Sequence, residues 1–206
     1  FKTPIASITD EHYEESEAKA IAAFKTLVKT HHQNIAGFVF EPLIMGAGGM
    51  IHTKPSFLNT LATICHEHEI HTIADEIATG FGRTGTLFAC EQAEIEPDFL
   101  CLSKALTNGT LPLAVTCTTD TIYQAFYADY NEHKTFYHGH TFTANALGCA
   151  VANETLSIIK QDNIVNHAKV IESVLSKNSD LLADLSIVHQ VRVKGSTLAF
   201  ELCNPK

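Results

Sequence analysis

The chain has 206 residues, 45% of them hydrophobic, and its 14 Lys+Arg against 23 Asp+Glu give a formal net charge of -9. That length suits one domain with a small appendage and allows a real core. An acidic chain without a basic run is a poor candidate for binding nucleic acid or an anionic membrane. No apolar run approaches the ~20 residues of a membrane span, and the amino end has no secretory pattern, so a cytoplasmic location is expected. The six cysteines, Cys65, Cys90, Cys101, Cys117, Cys149 and Cys203, form no CxxC pair. Several lie in apolar runs and read as buried free thiols rather than as disulfides or a zinc site. The chain opens on Phe1 and stops at Pro205-Lys206 just after a strand-like run, as expected of a piece of a longer protein.

In chain order, residues 10–29 read as a helix, with Ala18, Ile21, Ala22, Phe24, Leu27 and Val28 at helical spacing. Residues 36–40 read as a strand ending in Glu41-Pro42, followed by the glycine-rich loop Gly46-Ala47-Gly48-Gly49. That loop lacks the GxGxxG pattern opening a helix, which makes a dinucleotide site improbable. Pro55-Ser56 opens a second helix, with Leu58, Leu61, Ile64 and Cys65 on one face. The following Cys65-His66-Glu67-His68-Glu69-Ile70-His71 is rich in metal-ligand types, but it has no HExxH spacing and crosses a helix-to-strand junction, so no metal is expected.

A strand over 70–76 leads into a glycine-punctuated loop with Gly80, Gly82 and Gly85, and further strands follow at 99–104 and 113–118. Strand alternating with helix at this spacing predicts a parallel α/β sheet, buried on both faces. Asn145 is placed to cap a helix reaching about Lys160, and a second helical stretch covers about 165–185. Two strand-like runs, 187–193 and 197–203, flank Gly195 as a hairpin. Residues 1–164 read as part of one large domain and 165–206 as the start of a smaller α+β domain.

Two strand ends carry the chemistry. One apolar run stops at Asp75-Glu76 and another at Ser103-Lys104. In parallel sheets, ligands bind beyond the carboxyl ends of the strands. A lysine there suits a Schiff base, and an acid beside it suits a pyridinium nitrogen, the pairing that pyridoxal phosphate chemistry needs. Taken singly, a strand-end lysine is usually a solvated terminus, and a strand-end Asp often caps the next segment. His138-Gly139-His140-Thr141-Phe142 joins a flexible turn to a hydroxyl and is a weak phosphate-site pattern.

The run Asp75-Glu76-Ile77-Ala78-Thr79-Gly80-Phe81-Gly82-Arg83-Thr84-Gly85, the later Lys104 and Phe40-Glu41-Pro42 resemble the class III pyridoxal-phosphate-dependent aminotransferases. The match covers most of residues 36–153. The wording at 88–91, Pro97-Asp98, 101–110 and 138–142 is similar to members that pass an amino group from S-adenosylmethionine to 8-amino-7-oxononanoate in biotin biosynthesis. The resemblance implies an aspartate aminotransferase-like fold type I transferase, homodimeric, with sites at the subunit interface. It implies that Lys104 holds pyridoxal 5'-phosphate and shuttles a proton, and that Asp75 pairs with the ring nitrogen. Thr141 would bind the cofactor phosphate of the neighbouring subunit's site, and Gly139 would lie against substrate. Glu41 and Arg83 would belong to the polar surround.

The family usually has proline where this chain has His140. Its amino-terminal phosphate loop and stacking aromatic, and its carboxy-terminal substrate-reading arginine, have no counterpart in the sequence. Another class III ω-aminotransferase, acting on ornithine, 4-aminobutyrate or a similar amine, is the alternative reading for the parent protein. A catalytically inert α/β module is the alternative for the isolated chain.

Overall fold

Residues 6–203 are described by the structure, a computed structural model. Helix α1 (Tyr13–His31) carries Glu14 and Glu15 in its first turn and Lys29 and His31 in its last, each complementing the helix dipole. Strand β1 (Gly37–Phe40) is followed by a two-stranded antiparallel ribbon, β2 (Ile44–Met45) and β3 (Ile51–His52), which holds the Gly46–Gly49 loop at its tip. Helix α2 (Pro55–Glu67) begins with proline at its first position, where a missing N–H costs nothing.

Strand β4 (His71–Asp75) pairs parallel with β1 and with β5 (Phe99–Leu102). The connection between β4 and β5 contains a 3₁₀ turn, Ala89–Ala93, in place of an α-helix. Strand β6 (Val115–Thr118) closes the order β1-β4-β5-β6. It runs antiparallel to β5, so the sheet departs from the all-parallel expectation. The physical reason is the connection: a 3₁₀ turn at Lys104–Thr107 and a short loop cannot form the crossover that a parallel strand needs.

After α3 (Asp120–Phe126), helix α4 (Ala146–Gln161) starts at Asn145, whose Oδ1 accepts from the Gly148 N–H at 3.0 Å. Helix α5 (Ile164–Ala183) leads to the antiparallel hairpin β7 (Val188–Lys194) and β8 (Thr197–Leu202). No helix among the described residues is long and apolar enough to cross a membrane.

Burial alternates along β4. Thr72 and Ala74 are buried, while His71, Ile73 and Asp75 are not. The packed face meets α1 and α2 through Phe24, Val28, Leu58, Leu61 and Cys65. Further along it, Leu102 joins Phe81, Leu106 and Ala152 of α4. The other face, with Val39 62% exposed, is uncovered among the described residues. The expected burial of both faces therefore holds for one face only. The thiols divide likewise: Cys65 and Cys90 are buried, Cys117 and Cys203 are exposed, and all six are free.

The hairpin reaches back to both glycine-rich loops. Arg192, 2% exposed, donates to Glu201 Oε1 at 3.0 Å and to the Gly49 carbonyl at 3.3 Å. At the β7–β8 turn the Ser196 N–H donates to the Arg83 carbonyl at 2.9 Å. Gly82 lies against Val165, and Gly85 against Lys169 and Glu172 of α5.

Candidate active site

Asp75 stands at the end of β4 and is in register with Cys101 of β5. Lys104 follows three residues later, so the acid and the amine leave the sheet at the carboxyl ends of adjacent parallel strands. Asp75 is half-buried, and its Oδ1 accepts from the Ile77 N–H at 3.1 Å. That bond fixes the side chain in an Asx turn. Its Oδ2 makes no hydrogen bond with the described residues.

Lys104 opens the 3₁₀ turn Lys104–Thr107 with φ +42, a left-handed conformation that a non-glycine residue adopts only at some cost. Two bonds hold it there. The Ser103 hydroxyl donates to the Leu113 carbonyl at 2.7 Å, and the Lys104 carbonyl accepts from the Gly109 N–H at 3.4 Å. Helix α4 packs on this turn. The Lys104 side chain is exposed and makes no ion pair or hydrogen bond among the described residues.

Glu41 follows β1, and its Oε2 accepts from the Gly46 N–H at 2.9 Å, bracing the ribbon tip. It lines, with Asp75, Phe40, Met45 and Gly48, a groove of about 710 Å³ beside the β1 edge. Arg83 is exposed, and only its carbonyl is engaged, by the β7–β8 turn. No bond joins Arg83 to Asp75, Lys104 or Thr141.

Gly139 and Thr141 sit on an exposed segment. A Cβ at Gly139 would meet nothing within 4 Å. His138 and His140 line an aromatic groove shared with Phe99, Ser103, Tyr123 and Phe126, which brings this segment beside the residue preceding Lys104. His140 builds the local turn. Its N–H donates to Thr143 Oγ1 at 3.1 Å, a bond proline could not make, and its Nδ1 accepts from the Phe142 N–H at 3.1 Å. Thr141 therefore stays presented, with its hydroxyl unbonded among the described residues.

The residues present fit pyridoxal phosphate. An unpaired carboxylate oxygen and an unpaired amine at neighbouring strand ends match a ring nitrogen and an aldehyde, and the free Thr141 hydroxyl matches a phosphate. Sequence reasoning missed Glu76, which is wholly buried directly after Asp75. Its Oε2 accepts from the Thr79 hydroxyl at 2.6 Å and its Oε1 from the Cys90 N–H at 2.8 Å. The signal was available as a second acid at the end of an apolar run. Burial and, next, the Glu76 charge push the Cys90 thiol far up, so it is not a thiolate.

The aminotransferase class-III family matches residues 2–206. A relative from Helicobacter pylori, adenosylmethionine-8-amino-7-oxononanoate aminotransferase, is 42% identical over 187 residues, covering 89% of this chain and 43% of the relative. The protein of the same name from Methanocaldococcus jannaschii is 38% identical over 203 residues, covering 96% of this chain and 44% of the relative. A crystal structure of that archaeal enzyme matches with a TM-score of 0.83 at 38% identity, over 88% of this chain and 42% of that one. A Bacillus anthracis aminotransferase matches with a TM-score of 0.89 at 27% identity, over 98% of this chain and 45% of that one. The chain thus spans less than half the length of these relatives, and its α/β architecture is part of a fold type I transferase. With the family matched along almost its whole length, the chain belongs to the class III aminotransferases.

Proposed function

We propose that the protein carrying this chain transfers an amino group from S-adenosylmethionine to 8-amino-7-oxononanoate, giving 7,8-diaminopelargonate for biotin biosynthesis. The observation that carries the reading is the pairing of Asp75 and Lys104 at adjacent strand ends in a chain about 40% identical to relatives of that name. Pyridoxal phosphate, when bound, supplies an electron sink for the carbanion formed at the amine-bearing carbon. Lys104 Nζ would hold it, then take up and return the proton at that carbon. Asp75 Oδ2 would keep the ring nitrogen protonated through its charge. Thr141 Oγ1 would bind phosphate, in a homodimer reaching the neighbouring subunit's site, and Gly139 would leave room for substrate. Glu41 and Arg83 would complete the polar surround. We assign residues 1–164 to the cofactor-binding large domain and 165–206 to the start of the small domain, in a cytoplasmic enzyme.

For the 206-residue chain alone we expect no turnover, because Lys104 and Thr141 are exposed and one sheet face is uncovered. The test assays the full-length protein with S-adenosylmethionine, ornithine and 4-aminobutyrate as donors. Preferred use of S-adenosylmethionine, with a borohydride-reducible visible band that Lys104→Ala abolishes, supports the reading. Preference for ornithine or 4-aminobutyrate replaces it with the ω-aminotransferase alternative.

A further inference from the structure

Every polar group of Glu76 is engaged. Its N–H donates to the Cys101 carbonyl at 3.0 Å, extending the β4–β5 ladder one residue beyond Asp75. Its carbonyl accepts from the Gly80 N–H at 2.9 Å, closing a turn so tight that a Cβ at Gly80 would lie 2.9 Å from that oxygen. Its carboxylate accepts from Cys90 N–H on one oxygen and from the Thr79 hydroxyl on the other. Side chains alternate at a strand end, so Asp75 faces the uncovered side of the sheet and Glu76 the packed side. No ion pair with a lysine, arginine or histidine forms at Glu76 among the described residues.

A fully buried carboxylate without a cation is an expensive way to fill space. Its two attachments, added to the two that the Glu76 backbone makes, explain its presence better than packing does. One runs to β5, three residues before Lys104. Another runs to the 3₁₀ turn Ala89–Ala93, and two close the turn 76–80. Within that turn lies the Ile77 N–H, the donor that holds Asp75 Oδ1. Loosening the turn that the carboxylate holds would therefore loosen the Asp75 carboxylate and, through the Glu76 N–H, the β5 end together.

We propose that Glu76 is a positioning residue of the cofactor site, fixing the Asp75 carboxylate relative to the strand end that delivers Lys104. The proposal rests on the assignment of Asp75 and Lys104 to that site made above. Glu76 touches neither substrate nor cofactor. It acts by holding two separate strand ends in one frame, so disturbing it should loosen both.

Two substitutions separate shape from linkage. Glu76→Gln keeps the shape and its bond to Cys90 N–H, while its amide must donate to a Thr79 hydroxyl turned to accept. Thr79→Val keeps the carboxylate and removes one link, and Thr79→Ser restores that link. The experiment uses the full-length protein with two readouts: amide hydrogen exchange without cofactor, and titration with pyridoxal phosphate followed by visible absorbance. In Glu76→Gln and Thr79→Val, exchange should rise about tenfold in both segments 76–90 and 101–109, with α2 unchanged, and the pyridoxal phosphate Kd should rise roughly tenfold. Thr79→Ser should match the unsubstituted protein.

A rise confined to 76–90 with unchanged Kd, no rise at all, or an equal rise in α2 overturns the proposal. If Glu76→Gln does not fold, the Thr79→Val and Thr79→Ser pair decides by the same criteria. Failure of the unsubstituted protein to bind pyridoxal phosphate counts against the cofactor-site assignment instead. The exchange readout then still decides whether Glu76 couples the two strand ends.

Discussion

Asp98 clasps Thr72 from two directions. Its Oδ2 accepts from the Thr72 N–H at 2.7 Å and from the Thr72 hydroxyl at 3.0 Å, while Thr72 Oγ1 accepts from the Asp98 N–H at 3.2 Å. The Thr118 hydroxyl adds a bond to the Asp98 carbonyl at 2.9 Å, so β4, β5 and β6 are tied together at the end opposite Lys104. Burial works against ionisation of Asp98, but the Thr72 donors and His71 outweigh it and hold the carboxyl below its ordinary value. Stability from this clasp is complete above the ordinary Asp value near 4 and drains away as the pH falls below it. Asp98→Ala should cost about 1–3 kcal/mol at neutral pH and flatten the acid limb, as read by urea unfolding between pH 3 and 7.

Gly195 cannot be replaced without moving backbone. Its φ is +56, and a Cβ there would sit 2.1 Å from the Arg83 carbonyl oxygen. Gly195→Ala should lose the Ser196–Arg83 bond and destabilise by about 2–4 kcal/mol, measured by denaturant midpoint. Thr79, Gly80 and Arg83 should gain hydrogen exchange in that variant, because the hairpin no longer seats on their loop.

His52 titrates against folding. It is 4% exposed, and burial, then the charges of Arg192 and Lys194, lower its pKa to about 4. Above the ordinary histidine value near 6.5 both folded and unfolded forms are neutral, and the group contributes nothing. Between about 6.5 and 4 only the unfolded chain takes the proton, so stability falls with pH by up to ~3 kcal/mol. His52→Leu should remove most of that slope, which unfolding curves at pH 7, 6 and 5 would reveal.

Asp75→Asn keeps an oxygen able to accept from the Ile77 N–H and removes the charge. In the full-length protein, turnover should fall about 10²–10³-fold with an unchanged thermal midpoint. Near-normal transamination by this variant would defeat the proposed role of Asp75.

Much of this was legible because it is local. Asn145 marked its helix through a cap, Pro55 through its fixed φ, Gly195 through its freedom at positive φ, and the ends of β4 and β5 through the charges that close their apolar runs. The antiparallel β6 was not legible, since Val115–Thr118 reads the same in either direction. The β2–β3 ribbon has two residues a side, too few for a period to register. The role of Glu76 depends on Cys90 and Cys101, partners 14 and 25 residues away that only the folded chain brings near. The placement of His138 and His140 in one groove with Ser103 likewise belongs to the tertiary structure.

The Ser196–Arg83 contact also sets an order of events during synthesis. The two residues are 113 positions apart in sequence, so the ribosome has released the whole β4–β5 region well before residue 196 can emerge. Over that interval the loop after Asp75 has its own turn and the Cys90 bond, but not its outer brace. At roughly 5–20 residues per second the unbraced period lasts about 6–23 s, long against local turn formation. A nascent chain stalled before residue 165, with neither α5 nor the hairpin formed, should therefore be cut by protease within residues 80–86, and release of the stall should close that window.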